Sequence, residues 1–135
     1  MNDRFLIDTN VAVDYLRDVP EAIDYVNGLD PRTLFMSVVS VAELYSGVRD
    51  GDEMEELNDF LDGLTLLEVD RAIATQAGLY CRKYGRSHAV DVPDALVAAT
   101  SEAVSATVVT LNVKHFPMLA DVIVPYGSGA PGKMR

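Results

Sequence analysis

Four short segments each place a carboxylate, or a side chain able to replace one, just after an apolar run or at a helix start. They are Phe5-Leu6-Ile7-Asp8-Thr9-Asn10, Ser40-Val41-Ala42-Glu43-Leu44, Val92-Pro93-Asp94-Ala95-Leu96 and Val108-Val109-Thr110-Leu111-Asn112. Carboxylates brought together repel one another and raise each other's pKa unless a cation joins them. Hard cations such as Mg²⁺ and Mn²⁺ take oxygen ligands. Gathered at one place, Asp8, Glu43 and Asp94 would form an acidic metal site suited to phosphodiester chemistry, with Asn112 offering a carbonyl oxygen.

Each residue also has an ordinary structural explanation. Asp8 can cap a helix beginning near Thr9 or Asn10, and Thr9 can itself be a helix-start residue. Ser40 and Glu43 match the S-x-x-E capping box. Asp94 follows Pro93 in a first helical turn, where the helix dipole favours acids. Asp91, three residues earlier, reads first as a helix-entry cap and second as a further acid for the site. His115 reads first as a ring packed beside Phe116 and second as a ligand.

The elements that must position these residues alternate. Arg4 to Ile7 reads as a buried strand and Val11 to Leu16 as a short helix. Pro20 opens a helix that Gly28 stops. Leu34 to Val38 is a strand, followed by a helix to about Val48 for which Ser37 and Ser40 are alternative caps. A helix over Asp52 to Leu61 carries Met54, Leu57, Phe60 and Leu61 at helical spacing. Leu64 to Glu68 is a strand. Asp70 caps a long helix from Arg71 to Tyr84, which Gly85 ends. Pro93 precedes a helix to about Val104, Thr107 to Leu111 is a β-branched strand, and Val122 to Val124 a short one. Apolar strands alternating with helices predict a three-layer α/β/α domain around a mostly parallel sheet of about five short strands. In such a sheet a ligand site lies beyond the carboxyl ends of the strands. Residues 1–125 form the expected single domain, and Gly, Ser and Pro from Tyr126 onward read as a flexible tail over 126–135.

Bulk composition narrows the function. The 135 residues suit one domain. A formal net charge of −10 argues against a general nucleic-acid coat protein, though not against a nuclease that touches its substrate locally. Seven of the 21 acids fall between Asp50 and Asp62, which reads as a solvated helix face before a landing surface for a basic partner. The single cysteine, Cys81, has no internal partner, and no apolar run approaches the ~20 residues needed to span a bilayer. A cytoplasmic protein with no membrane association is the expectation.

Taken together and in order, these segments resemble the PIN-domain ribonucleases, most closely the VapC-type toxins of toxin–antitoxin pairs. Leu6-Ile7-Asp8-Thr9-Asn10 is similar to the family's opening strand and first acid. Ser40 to Gly47 resembles its second motif, with Glu43 the acid. Pro93-Asp94-Ala95-Leu96-Val97-Ala98-Ala99-Thr100 is the most specific match and carries the third acid. Val109-Thr110-Leu111-Asn112-Val113-Lys114-His115-Phe116 resembles the last motif. There, many relatives carry an acid where Asn112 or His115 stands, and this chain has neither.

The resemblance implies a Mg²⁺- or Mn²⁺-dependent endoribonuclease in which Asp8, Glu43 and Asp94 hold the metal, with Asn112 completing the catalytic set. Thr9, Thr110, Asp91 and His115 are the supporting residues, Thr9 by orienting Asp8 or binding a phosphate. It further implies a structured RNA substrate such as a tRNA or rRNA loop, cleavage leaving a 5′-phosphate and a 3′-hydroxyl, pairing of the chain with itself as a homodimer, and a cognate antitoxin. Leu44, Tyr45, Val48, Leu57, Phe60 and Leu61 could form a groove for that antitoxin, but most of them are expected to face this protein's own core, with exposure confined to some of Tyr45, Val48 and Leu57. The missing fourth acid keeps a second possibility open: a PIN scaffold with impaired catalysis that binds RNA or protein. A phosphate-accepting receiver domain ranks far below both, because Asp8 is followed by Thr9 instead of a second acid.

Overall fold

The computed structural model describes residues 3–127. Five parallel strands, β1 (Phe5–Ile7), β2 (Leu34–Ser37), β3 (Thr65–Leu67), β4 (Thr107–Val109) and β5 (Val122–Ile123), form one sheet in the order β3-β2-β1-β4-β5. Every pairing in it is parallel. Six helices are woven between them: α1 (Thr9–Leu16), α2 (Pro20–Asn27), α3 (Val38–Gly47), α4 (Asp52–Asp62), α5 (Arg71–His88) and α6 (Val92–Ala103).

Successive strand residues point to opposite faces, and both faces of the sheet are covered. Ile7, Met36 and Val109 join Val11, Leu44 and Leu57 in a core on the α1–α4 side. Leu6 and Val108 pack with Val97, Ala98 and Phe116 on the α6 side. Ala95 and Ala99 let α6 lie close against Ile73 and Ala77 of α5. Leu6, Ile7, Met36, Val108 and Val109 are all fully buried, each contributing about 1.5–3 kcal/mol of transfer free energy. This is the expected three-layer α/β/α arrangement.

The chain moves outward from β1 through β2 to β3, then returns to the other side of β1 for β4 and β5. The switch point therefore lies between β1 and β4, where ligands of open α/β sheets bind. Asp8 directly follows β1 and Thr110 directly follows β4. These neighbouring strand ends are joined by the Asp8 amide, which donates to the Val109 carbonyl at 2.9 Å.

Several local readings are corrected. Asp8, the N-cap, starts α1 at Thr9, two residues before Val11. Ser37, not Ser40, caps α3, accepting from the Val39 amide at 3.1 Å, so Ser40 and Glu43 form no capping box. Gly85 does not end α5. The helix continues to His88, and Ala89 takes the left-handed conformation at φ 54° that reverses the chain. A mid-helix glycine costs only about 1 kcal/mol relative to alanine. The further turn lets Val90 reach the α5–α6 core. Tyr126, placed in a tail by its surroundings, is 7% exposed and packs in the α1–α4 core. Its hydroxyl donates to Asp14 Oδ2 at 3.0 Å. The rest of that tail, from Ser128, lies outside the described residues.

Candidate active site

Asp8 is the innermost acid, 7% exposed at the switch point. Oδ1 accepts from the Thr9 amide at 2.9 Å, the helix cap, while Oδ2 accepts from the Thr110 hydroxyl at 2.7 Å. Capping and site membership are thus one arrangement: starting α1 at Thr9 fixes the carboxylate at the β1 end. Burial raises the Asp8 pKa above 3.8 despite the lowering effect of these two bonds, and the charges of Glu43 and Asp91 raise it further.

Thr110 is fully buried, and its hydroxyl is saturated. It donates to Asp8 and accepts from Asn10 Nδ2 at 3.2 Å and from the Asn112 amide at 3.0 Å. Asn10 Oδ1 also accepts from the Leu111 amide at 3.2 Å. One hydroxyl with one hydrogen and two lone pairs ties the start of α1 to the end of β4.

Glu43 projects from the middle of α3 and is exposed. The Thr9 hydroxyl donates to its Oε1 at 2.7 Å. Thr9 therefore serves both acids, Asp8 through its amide and Glu43 through its hydroxyl.

Asp94 lies in the first turn of α6. Asp91 caps that helix, Oδ1 accepting from the Asp94 amide at 3.0 Å. The same proximity sets two carboxyls against each other. Burial, then the hydrogen bond and charge of Asp91, then the charges of Asp8 and Glu43, push the Asp94 pKa from 3.8 up to about 7. His115 also lies beside this carboxyl, with Nδ1 at 3.1 Å from Asp94 Oδ2.

Asp8, Glu43, Asp91 and Asp94 thus act on one another electrostatically. Their oxygen donors match the preference of a hard divalent cation, and their mutual repulsion is the condition that such a cation relieves. Among the described residues, however, no three acid, imidazole or thiol groups form a ready-made metal cluster. The acids sense one another without converging on a single point.

A comparison of the sequence with family profiles matches the PIN domain over residues 5–120. The chain belongs to the PIN-domain family. Among its curated relatives are two Mycobacterium tuberculosis proteins. Ribonuclease VapC19 is 38% identical over 124 residues, spanning 90% of this chain and 98% of the relative. Ribonuclease VapC10 is 37% identical over 123 residues, spanning 90% and 92%. Similar solved structures include a toxin–antitoxin complex from Klebsiella pneumoniae, with a TM-score of 0.77 and 21% identity over 90% of this chain and 97% of that one. FitAcB from Neisseria gonorrhoeae gives 0.71 and 26% over the same shares.

Of the residues expected to build this PIN-domain site, Asp8, Thr9, Glu43, Asp91, Asp94, Thr110 and His115 are linked by bonds or by mutual charge. Asn112 is exposed and takes part through its main chain, with its amide on Thr110 and its carbonyl accepting from the His115 amide at 3.0 Å. Asn10 was given no site role by the sequence reading. It holds Thr110, and its signal was a third polar residue in succession after a buried strand. Ser40, read as a possible cap, is fully buried with Oγ unpartnered.

Beside Glu43, a cleft of about 640 Å³ runs between α1, α3 and α4. Leu44 and Leu57 form part of its wall, with Val48, Arg17, Glu53 and Glu56 around them. Most of the apolar positions considered for a groove face the core, as expected, and Leu57 is buried with them. Leu44, Leu57 and Leu61 are buried, Phe60 stacks on Tyr15 with ring centroids 4.9 Å apart, and Tyr45 is 40% exposed.

Proposed function

We propose that this PIN domain is an endoribonuclease of the VapC type, hydrolysing phosphodiester bonds in structured RNA such as a tRNA or rRNA loop with Mg²⁺ or Mn²⁺. One observation carries the reading: Asp8 at the end of β1 and Asp94 at the start of α6, 86 residues apart in the chain, are close enough at the sheet switch point for the charge of Asp8 to raise the Asp94 pKa, with Glu43 acting on both. The VapC ribonucleases among its relatives support the substrate class.

Asp8, Glu43 and Asp94 would hold the cation. When bound, it supplies Lewis acidity toward a phosphoryl oxygen and lowers the pKa of water. The chain's own residues do the positioning. Thr110 and the Thr9 amide each engage one oxygen of Asp8, so its carboxylate cannot rotate freely. Thr9 fixes Glu43 across the mouth of the site. Asn10 and the Asn112 amide occupy the lone pairs of Thr110 and direct its hydrogen at Asp8.

A specific observation favours a second reading, a binding module with impaired catalysis: the acids do not form a ready-made metal cluster. The ends of the products separate the two. A structured small-RNA pool incubated with the protein and Mn²⁺ should yield fragments with 5′-phosphates and 3′-hydroxyls. Fragments ending in 2′,3′-cyclic phosphates would contradict metal-assisted hydrolysis, and retention of intact RNA would favour the module.

The partners follow the same proposal. Several similar solved structures are toxin–antitoxin complexes, and an antitoxin segment would occupy the cleft beside Glu43, its basic side chains meeting Glu53 and Glu56. Pairing with a second copy completes the proposed assembly. No helix among the described residues is long and apolar enough to cross a membrane.

A further inference from the structure

The His115 ring is not idle packing. Nδ1 lies 3.1 Å from Asp94 Oδ2, and the two side chains are 32% and 20% exposed. The ring is delivered by a 3-10 turn, Val113–His115. At one end of the turn the Asn112 amide is held by Thr110 Oγ1 at 3.0 Å, and the Asn112 carbonyl accepts from the His115 amide at 3.0 Å. At the other end Phe116 is 2% exposed in the α6-side core, and its amide donates to the Val113 carbonyl at 3.0 Å. The backbone of His115 is therefore clamped between a buried hydroxyl and a buried ring. A continuous set of hydrogen bonds runs from Asp8 through Thr110 and Asn112 to the His115 backbone, whose ring lies beside Asp94.

A fourth carboxylate on this turn would face an Asp94 that already has Asp91 beside it, adding like charge. An imidazole N–H supplies a donor there instead. We propose that His115 is a positioning residue: its Nδ1–H holds Asp94 Oδ2 and orients that carboxylate toward a divalent cation. This rests on the nuclease reading above and adds to it a role for the turn after β4. It makes His115 a partner of a ligand and not a ligand, the arrangement in which outer groups orient the groups that touch a metal.

The two roles use different ring nitrogens and can be separated by isosteres. An asparagine amide falls near the position of Nδ1, a glutamine amide near that of Nε2. Mn²⁺ binding by calorimetry on the folded, full-length wild type, H115A, H115N and H115Q, with far-UV circular dichroism as a control for folding, tests the assignment without any RNA. H115A should bind Mn²⁺ about 10-fold more weakly, H115N should stay close to wild type, and H115Q should resemble H115A. Unchanged affinity in H115A, or rescue by Gln and not by Asn, would overturn the positioning role. If D94N still abolishes binding in that case, the nuclease reading survives. Absence of Mn²⁺ binding by the wild type would overturn both.

Discussion

The Thr110 hydroxyl donates to Asp8 Oδ2 at 2.7 Å across 102 residues of sequence, and both groups are buried. Because the two lone pairs of that oxygen are taken by Asn10 and the Asn112 amide, its hydrogen has one direction left. Thr110→Val removes the donor and leaves a buried carboxylate and two donors short of a partner. A loss of about 1–3 kcal/mol in stability is expected, measured by urea unfolding. Mn²⁺ affinity should fall about 10- to 100-fold. Thr110→Ser should retain most of both.

The Asp94 carboxyl predicts a pH dependence. Its folded-state pKa of about 7 lies above the ordinary carboxyl value of 3.8, so the folded protein binds more protons than the unfolded chain between these values. Stability from this group is fully present below pH ~4 and is lost as pH rises through ~7. Asp8 shifts the same way. The wild-type urea midpoint should therefore fall between pH 4 and pH 8. Asp94→Asn should flatten that slope, by on the order of 1–2 kcal/mol after allowing for solvent screening of a partly exposed group. Added Mn²⁺ should raise the wild-type midpoint at pH 8 far more than at pH 5. Equal slopes in wild type and variant would refute the electrostatic coupling.

Asp91 combines a cap with a charge, and two substitutions separate them. Asp91→Asn keeps an acceptor for the Asp94 amide and removes one of the charges that raise Asp94. It should leave stability at pH 5 nearly unchanged and move the Asp94 titration, followed by carboxyl NMR, to lower pH. Asp91→Ala loses the cap as well and should cost about 0.5–2 kcal/mol.

Thr9→Val tests the bridge to Glu43. It keeps the backbone amide that caps on Asp8 but removes the hydroxyl that fixes Glu43 Oε1. Stability should change by less than about 1 kcal/mol, since this bond is exposed. RNA cleavage should fall at least about 10-fold. Cleavage at the wild-type rate would show that Glu43 does not depend on Thr9.

Much of this architecture was legible because periodicity and caps are local. Apolar runs identified β1 and β4, and an acid placed directly after a parallel strand can lie only at that strand's carboxyl edge. That places Asp8, while Glu43 and Asp94 are expected beside it from their helix starts and from the order of the motifs. Which acid Thr110 and His115 would each serve was not legible. Thr110 and His115 reach Asp8 and Asp94 because β1 and β4 are neighbours and because a turn after β4 leans on α6, and spacing does not encode strand order. Ser37 and Ser40 each satisfied the cap pattern, and only the end of β2 chooses between them. Gly85 carried a stop signal whose small cost was outweighed by packing of the next turn. Tyr126 was assigned by the flexible composition around it, whereas its own ring seeks burial and its hydroxyl finds Asp14.

The most direct test of the central claim is cleavage of a structured small-RNA pool by wild type and Asp94→Asn, each with Mn²⁺, with Mg²⁺ and with chelator. The account predicts cleavage by the wild type that requires the cation and falls at least about 100-fold in the folded variant, the usual scale for losing a group that stabilises the transition state. Cleavage that persists in chelator, or at equal rate in Asp94→Asn, would contradict it.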